Sequence, residues 1–424
     1  MPPMKFASLA RSRWSPHVAL FVVALAIRVA WVLSVRRVGL AFGDALNYHV
    51  AATSVSQGKG YQTLQNAPTA RWPPGYTTVL AGVYRVFGVD ARWGELLNAL
   101  IGAITVVLLV VVVERWVDRT TAIVAGAILT VLPGPIIWTD LVVSETLYTM
   151  LFVLTFVVLS HAAPRWPWLV AIGVVIGLGA LVRGEAMTWG LLPIVLWRKQ
   201  FSLAELGKRV AAIAAAAIVV LLPWTIRNAV TMNAFVPLAT NSSETLWAGH
   251  NPDATGGQVY PPDAFYEPFN DVPDTEWELR TTGALRHDAL SYMIRHPARE
   301  LELIPLKLIH LNRGDSYALD WVNTGADVGP ISPINAERIG VLADLGYFGL
   351  LTMTILGVVF LGRSFWREAV GRCIATSFVT ALVLYGFVYY GNYRYRLAYE
   401  PLMVVVTATL VTRMWRRKRD HNVA

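Results

Sequence analysis

Long apolar runs broken by short basic turns dominate this chain. A helix needs about 20 apolar residues to cross a bilayer. The runs therefore predict spans near 17–35, 94–113, 120–138, 144–161, 167–182, 186–197, 209–226, 341–362, 373–391 and 397–412. The fold class is an all-α polytopic membrane protein of about ten transmembrane helices. The 186–197 run is short for a full crossing, so a tilted, flank-extended or interfacial helix is expected there, and everything after it inverts if it fails to cross. The first span follows a basic leader (Lys5, Arg11, Arg13) like that of a signal peptide. It is longer than an h-region and lacks a small-x-small cleavage site, and it reads as an uncleaved helix.

Two polar stretches are long enough to fold by themselves. Residues 36–94 form a first loop holding Asp44, then Arg71-Trp72-Pro73-Pro74-Gly75-Tyr76 ahead of an amphipathic run from Tyr76 to Phe87. Paired prolines suit the start of a helix lying on the membrane surface. Residues 228–340 hold 15 of the chain's 28 acidic residues and no apolar run long enough to span. Thr281 to His296 and Pro297 to His310 read as amphipathic helices meeting at His296-Pro297. The expected organisation is a transmembrane catalytic module over 1–227, a small, mainly helical water-facing insertion over 228–340, and C-terminal spans with a basic tail over 341–424.

Composition agrees with the pattern. The chain has 424 residues, of which 55% are hydrophobic and 15% charged, with a mean hydropathy of +0.48, too apolar for a water-soluble protein. A single cysteine, Cys373, excludes an intrachain disulfide, and no His/Cys spacing suggests structural zinc. The pI near 9.6 does not point to nucleic acid, because the basic residues gather at the ends of apolar runs, where they meet headgroups or cytoplasm. With both termini inside, the short inner loops hold Arg115 and Arg119, Arg165, Arg198 to Arg209, Arg363 to Arg372, and Arg413 to Arg419. Every one of these loops is basic, as the positive-inside rule requires. Asp44, Asp140, Glu145, Arg183, Glu185 and the Tyr393-Arg394-Tyr395-Arg396 turn then share the outer face.

These residues and their order resemble the GT-C superfamily of multi-helix glycosyltransferases, in the branch of bacterial aminoarabinose transferases and protein O-mannosyltransferases (glycosyltransferase family 39-like). The resemblance rests on Asp44 with Tyr48 four residues on, the Arg71 to Tyr76 run, Ser144-Glu145 opening a helix, and Leu181-Val182-Arg183-Gly184-Glu185. Leu222-Pro223-Trp224-Thr225-Ile226-Arg227-Asn228 and the closing Arg394-Tyr395-Arg396-Leu397-Ala398-Tyr399-Glu400-Pro401 complete it. Where the best-known members carry a Lys before the paired prolines, this chain has Trp72 with Arg71 beside it.

The resemblance implies an inverting transferase in the plasma (inner) membrane. It would move a sugar from a polyprenyl-phosphate carrier in the bilayer to a hydroxyl of a lipid, cell-wall glycan or protein outside. A hydroxyl attacks well only as it loses its proton, so a positioned carboxylate serves as base, worth about 10²–10⁴-fold. Asp44 is the candidate. The departing phosphate gains charge that guanidinium groups stabilise, which points to Arg71, Arg394 and Arg396, with Arg183 behind them. Tyr48, His49, Tyr76, Glu145 and Glu185 are further candidates for binding substrate. The sequence names no cofactor; a divalent cation shared by Asp44, Asp140 and Glu145 stays open, since no ligand spacing demands one.

Each residue has a plainer role to set beside this one. Asp44 caps a helix end, Glu145 favours the positive end of a helix dipole, Arg183 and Glu185 pair locally, and Arg394 and Arg396 snorkel within an aromatic belt. A lipid or glycolipid flippase is the alternative function, for which intramembrane carboxylates, broken helices and repeated halves would be expected. The charged candidates here lie at one face instead, and no halves match.

Overall fold

The computed structural model describes residues 15–35, 40, 43–161, 163–324 and 330–421. The basic leader with Lys5, Arg11 and Arg13 lies outside them. Among the described residues the secondary structure is helical, apart from one bridge between Gln62 and Pro68. The first half comprises α1 (Ser15–Ser34), α2 (Gly43–Ser56), α3 (Gly75–Phe87), α4 (Ala91–Trp116), α5 (Arg119–Val131), α6 (Pro133–Ile137), α7 (Glu145–His161), α8 (Trp166–Val182), α9 (Leu191–Trp197) and α10 (Leu203–Met232). An insertion follows with α11 (Ser242–Gly249), α12 (Asp263–Tyr266), α13 (Asp274–Arg295), α14 (Pro297–Leu311) and α15 (Ser316–Asn323). The chain then continues through α16 (Pro333–Phe360), α17 (Gly362–Arg367), α18 (Ala369–Val383), α19 (Tyr393–Arg396) and α20 (Glu400–His421).

Six helices among the described residues are long and apolar enough to cross a membrane: α1, α4, α10, α16, α18 with its extension to Val388, and the 393–420 helix. A seventh, α5 with residues 133–140, is bent by 55°; the sequence pattern gives it as one straight run. Two shorter apolar helices, α7 and α8, have 17 residues each, so six to seven of the described helices, fewer than the ten spans expected, are long and apolar enough to cross. The 184–197 segment, expected to be short for a crossing, is 3₁₀ at its start and α-helical after it. Arg183 lines a cavity at one end, whereas the carbonyl of Val195 accepts from Arg372 Nη1 at 2.9 Å at the basic end. The 3₁₀ stretch Gly184–Gly190 rises about 2 Å per residue, more than the α-helical 1.5 Å.

Two boundaries differ from the sequence reading. α10 continues past residue 227 to Met232, and α16 begins at Pro333 rather than near 341. The insertion is correspondingly shorter. Its two longest helices, α13 and α14, meet at His296-Pro297 as expected. α14 leaves Leu301 and Ile309 exposed, the kind of apolar face that a helix at a membrane surface presents.

The bend after α5 has a local cause. Pro133 has no N–H, so the carbonyl of Leu129 loses its partner four residues on. Arg28 of α1 replaces that donor: Nη2 reaches the Leu129 carbonyl at 3.2 Å, and Nη1 reaches that of Ala24 at 3.2 Å. The guanidinium is buried and points into the bundle, where its charge meets carbonyl oxygens rather than lipid. Gly102 of α4 makes room for it, since a Cβ there would stand 2.7 Å from Arg28 Nε.

α8 and α10 pack closely through Gly173 and Gly177, a small-xxx-small spacing that brings backbones together. A Cβ on Gly173 would lie 2.6 Å from the Ala216 side chain, and one on Gly177 would lie 2.8 Å from that of Val220. Gly173→Leu should therefore force the helices apart and destabilise the protein by about 1–3 kcal/mol, the usual range for overpacking. Thermal unfolding in lipid nanodiscs checks this against Gly82→Leu, at a site with open space around its Cα. Equal midpoints for the two variants would contradict the close approach.

Candidate active site

Four chain segments bring charged side chains together at one end of the bundle. Asp44 and Glu145 each lie in the first turn of a helix, α2 and α7, where the positive end of the dipole favours a carboxylate. Arg183 caps the C-terminal end of α8 and Glu185 follows it. Arg394 sits in the single turn of α19, held by the Asn392 side chain, which accepts from its backbone N–H at 3.1 Å. Arg394 then forks between two acids: Nη1 meets Asp44 Oδ2 at 2.8 Å and Nε meets Glu145 Oε1 at 2.6 Å. The same Glu145 oxygen takes Arg183 Nη1 at 2.9 Å, and Arg183 Nη2 lies 3.4 Å from Glu185.

The result is an unbroken row, Asp44, Arg394, Glu145, Arg183, Glu185, with three acids and two bases. Side-chain exposure falls from 30% at Asp44 to 3% at Glu145. Glu145 is thus the buried keystone and Asp44 the open end. Aromatic faces enclose the cations: Arg183 lies 4.9 Å from the Tyr395 ring and Arg394 5.1 Å from the Trp321 ring, contacts that strengthen as water is excluded.

Four members of this row, Asp44, Arg394, Arg183 and Glu185, form one wall of a cavity of about 420 Å³, within the range of small-molecule sites. Asp44, Tyr48, Arg71, Arg183, Glu185 and Arg394 all line it. Arg71 faces it from the first loop, stacked on Trp72 at 5.1 Å and held by both oxygens of Glu244 at 2.7 and 2.9 Å. Burial pushes the Glu244 carboxyl above its ordinary range, against the pull of Arg71. The loop is fixed from behind. Glu278 of α13 accepts from Thr69 Oγ1 at 2.7 Å, the Ala70 N–H at 3.0 Å and Thr240 Oγ1 at 2.8 Å, and Arg227 of α10 donates to the carbonyls of Thr69 and Tyr61.

Besides Glu145, four candidates do not line the cavity. Arg396 turns the other way, to Asp315 and Glu400, with its guanidinium 3.5 Å from the Tyr347 ring centroid. Residues two apart on a helical turn point about 200° apart, so Arg394 and Arg396 cannot share one wall. Tyr76 is fully buried beneath Tyr48 and accepts from Asn98 Nδ2 at 3.1 Å. His49 lies against the Tyr84 hydroxyl, 2.8 Å from Nδ1. Asp140 is buried and does not line the cavity. Among the described residues no three His, Cys, Asp or Glu side chains are gathered as metal ligands, so Asp44, Asp140 and Glu145 form no such cluster.

Comparison with known proteins bears on this architecture. Residues 71–226 match the model of the dolichyl-phosphate-mannose-protein mannosyltransferase family. No curated protein matches the chain significantly by sequence. Among solved structures, the oligosaccharyltransferase of Archaeoglobus fulgidus, in complex with Zn and sulfate, aligns over 95% of this chain with 13% identity and a TM-score of 0.57. The chain has the GT-C fold. It covers 49% of that archaeal enzyme. ArnT from Cupriavidus metallidurans, bound to undecaprenyl phosphate, aligns over 94% of this chain and 77% of its own, with 14% identity and a TM-score of 0.48.

The acids that organise the site from the insertion escaped the sequence reading. Glu244 and Glu278 occur among many acids of a polar domain, and nothing local marks them. Glu145 did carry a local signal, the first turn of an apolar helix. Glu145→Ala leaves two buried guanidinium groups without their shared acceptor, a loss of about 3–5 kcal/mol for a buried pair. Asp44→Ala, at the open end, should cost far less. Unfolding midpoints in nanodiscs compare the two, and an equal loss would contradict Glu145 as the keystone.

Proposed function

We propose that this protein is an inverting glycosyltransferase. It takes a sugar from a polyprenyl-phosphate carrier and places it on a hydroxyl acceptor at the outer side of the plasma membrane. The observation that carries this reading is the cavity at one end of the spans, where an open carboxylate, Asp44, lies beside Arg394 and across from Arg71. The name of the matching family, which includes dolichyl-phosphate-mannose, supports a lipid-linked donor for the same stretch of chain. The outer side follows from the basic ends of the helices, Arg115 to Arg119, Arg198 to Arg209, Arg363 to Arg372 and Arg413 to Arg419, which prefer the cytoplasm.

The chemistry follows from charge. The acceptor hydroxyl bonds to the anomeric carbon from the face opposite the phosphate while its proton passes to Asp44. The bond from the anomeric carbon to the phosphate oxygen breaks, and its electron pair leaves with the carrier phosphate. Arg394 and Arg71 face the charge that develops there, in a partly dry pocket where fixed donors act strongly. Arg183 does not need to touch the phosphate; through Glu145 it holds Arg394 in place. A single base and a direct displacement give inversion, whereas retention would need a nucleophilic carboxylate as well.

Incubating the purified protein and native membranes with a panel of radiolabelled polyprenyl-phosphate sugars tests this, by showing which acceptor becomes labelled. Asp44→Asn should lower transfer by about 10²–10⁴-fold while carrier binding persists. Turnover near wild type in that variant would remove Asp44 as the base. Arg394→Ala should weaken both carrier binding and rate.

A further inference from the structure

Beside the Asp44 cavity lies a second one of about 240 Å³, which no step above uses. The two share Gln258, and Asn392 Nδ2 donates to the Gln258 side chain at 3.5 Å along the partition. Arg394 completes the partition: it contacts Asp44 on one side and stacks on Trp321, which lines the second cavity, on the other. The floor of this space is aromatic. The Tyr393 ring lies 5.5 Å from Tyr317 and 5.5 Å from Trp321, and its hydroxyl donates to the Tyr317 carbonyl at 3.0 Å, which fixes the group.

The rim is polar and electrically balanced. Arg313, 5.1 Å from the Tyr317 ring, and Asp320 supply one charge of each sign, and His310, whose pKa is lowered by burial and by Arg313, stands beside them. An anionic ligand would gain little from such a rim. A neutral ligand with one apolar face and many hydroxyls fits both parts: ring C–H groups lie on the aromatic floor while hydroxyls meet forked donors and a carboxylate. The volume falls below the ~300–1,000 Å³ of sites for drug-sized ligands, which suits one sugar ring.

We propose that this second cavity binds a saccharide ring of the acceptor, so that the acceptor is a glycan. As an acceptor subsite it rests on the transfer reaction proposed above; as a saccharide site it does not. The test is binding of methyl hexopyranosides and their disaccharides, with a Ser/Thr-rich peptide as the competing acceptor class. It is read by saturation-transfer NMR on the full chain in nanodiscs free of glycoside detergent. At least one saccharide should bind, and the peptide should not displace it. Binding should persist in Asp44→Asn, which separates this site from catalysis, and in Arg71→Ala. It should weaken by about tenfold or more in Tyr317→Ala and in Asp320→Asn, whose side chains are exposed and whose loss spares the fold. An excess of polyprenyl-phosphate sugar should leave it unchanged. The proposal is overturned if no saccharide in the panel binds, if binding survives both the Tyr317 and the Asp320 variants, if the peptide takes the site, or if the donor lipid displaces the saccharide.

Discussion

Arg394 holds the candidate site together. Its guanidinium bridges Asp44 and Glu145, which lie 350 and 249 residues away in sequence, and so ties the start of α2 and the start of α7 to the turn before the last span. A buried guanidinium is costly unless its charge and its donors are met, which makes these contacts a condition of folding as much as of chemistry. Arg183 adds a second link through the same oxygen of Glu145. The geometry that the proposed transfer would use is thus set by these contacts alone, the condition under which fixed charges act best.

The insertion serves the same end by less conspicuous contacts. Its carboxylates reach back into the bundle: Glu244 onto Arg71, Glu278 onto the loop at Thr69 and Ala70, and Asp315 onto Arg396. Buried Lys307 of α14, with its pKa pushed down to about 8 by burial, meets His250, which pairs with Glu300 at 2.6 Å. Gly256 and Gly391 let the 250s loop cross the turn ahead of Arg394, joined by a backbone hydrogen bond of 2.9 Å. A Cβ on Gly256 would stand 2.6 Å from Leu306. The acidic domain is docked rather than tethered.

Much of this was legible in the sequence for one reason: membrane spans alternate direction, so counting them assigns each turn to a face. That logic placed Asp44, Glu145, Arg183 and Arg394 at one end without any knowledge of packing. It also located α3, α13 and α14, whose apolar residues recur at helical spacing. What it could not supply was the direction of side chains within a face. Arg394 and Arg396 look equivalent in a run of four residues and separate only once the run is known to be helical. The bend at Pro133 was available from the residue itself, but its consequence, a carbonyl freed for Arg28, belongs to tertiary contact. Partners such as Glu244 for Arg71, 173 residues apart, become visible only when the chain is folded.

The most direct measurement is an experimental structure of the protein in nanodiscs with a polyprenyl-phosphate sugar bound. The account predicts the carrier phosphate within hydrogen-bond distance of Arg394 or Arg71, and the anomeric carbon facing the Asp44 carboxylate across the 420 Å³ cavity. A carrier phosphate seated away from both arginines, or a sugar turned away from Asp44, would contradict it.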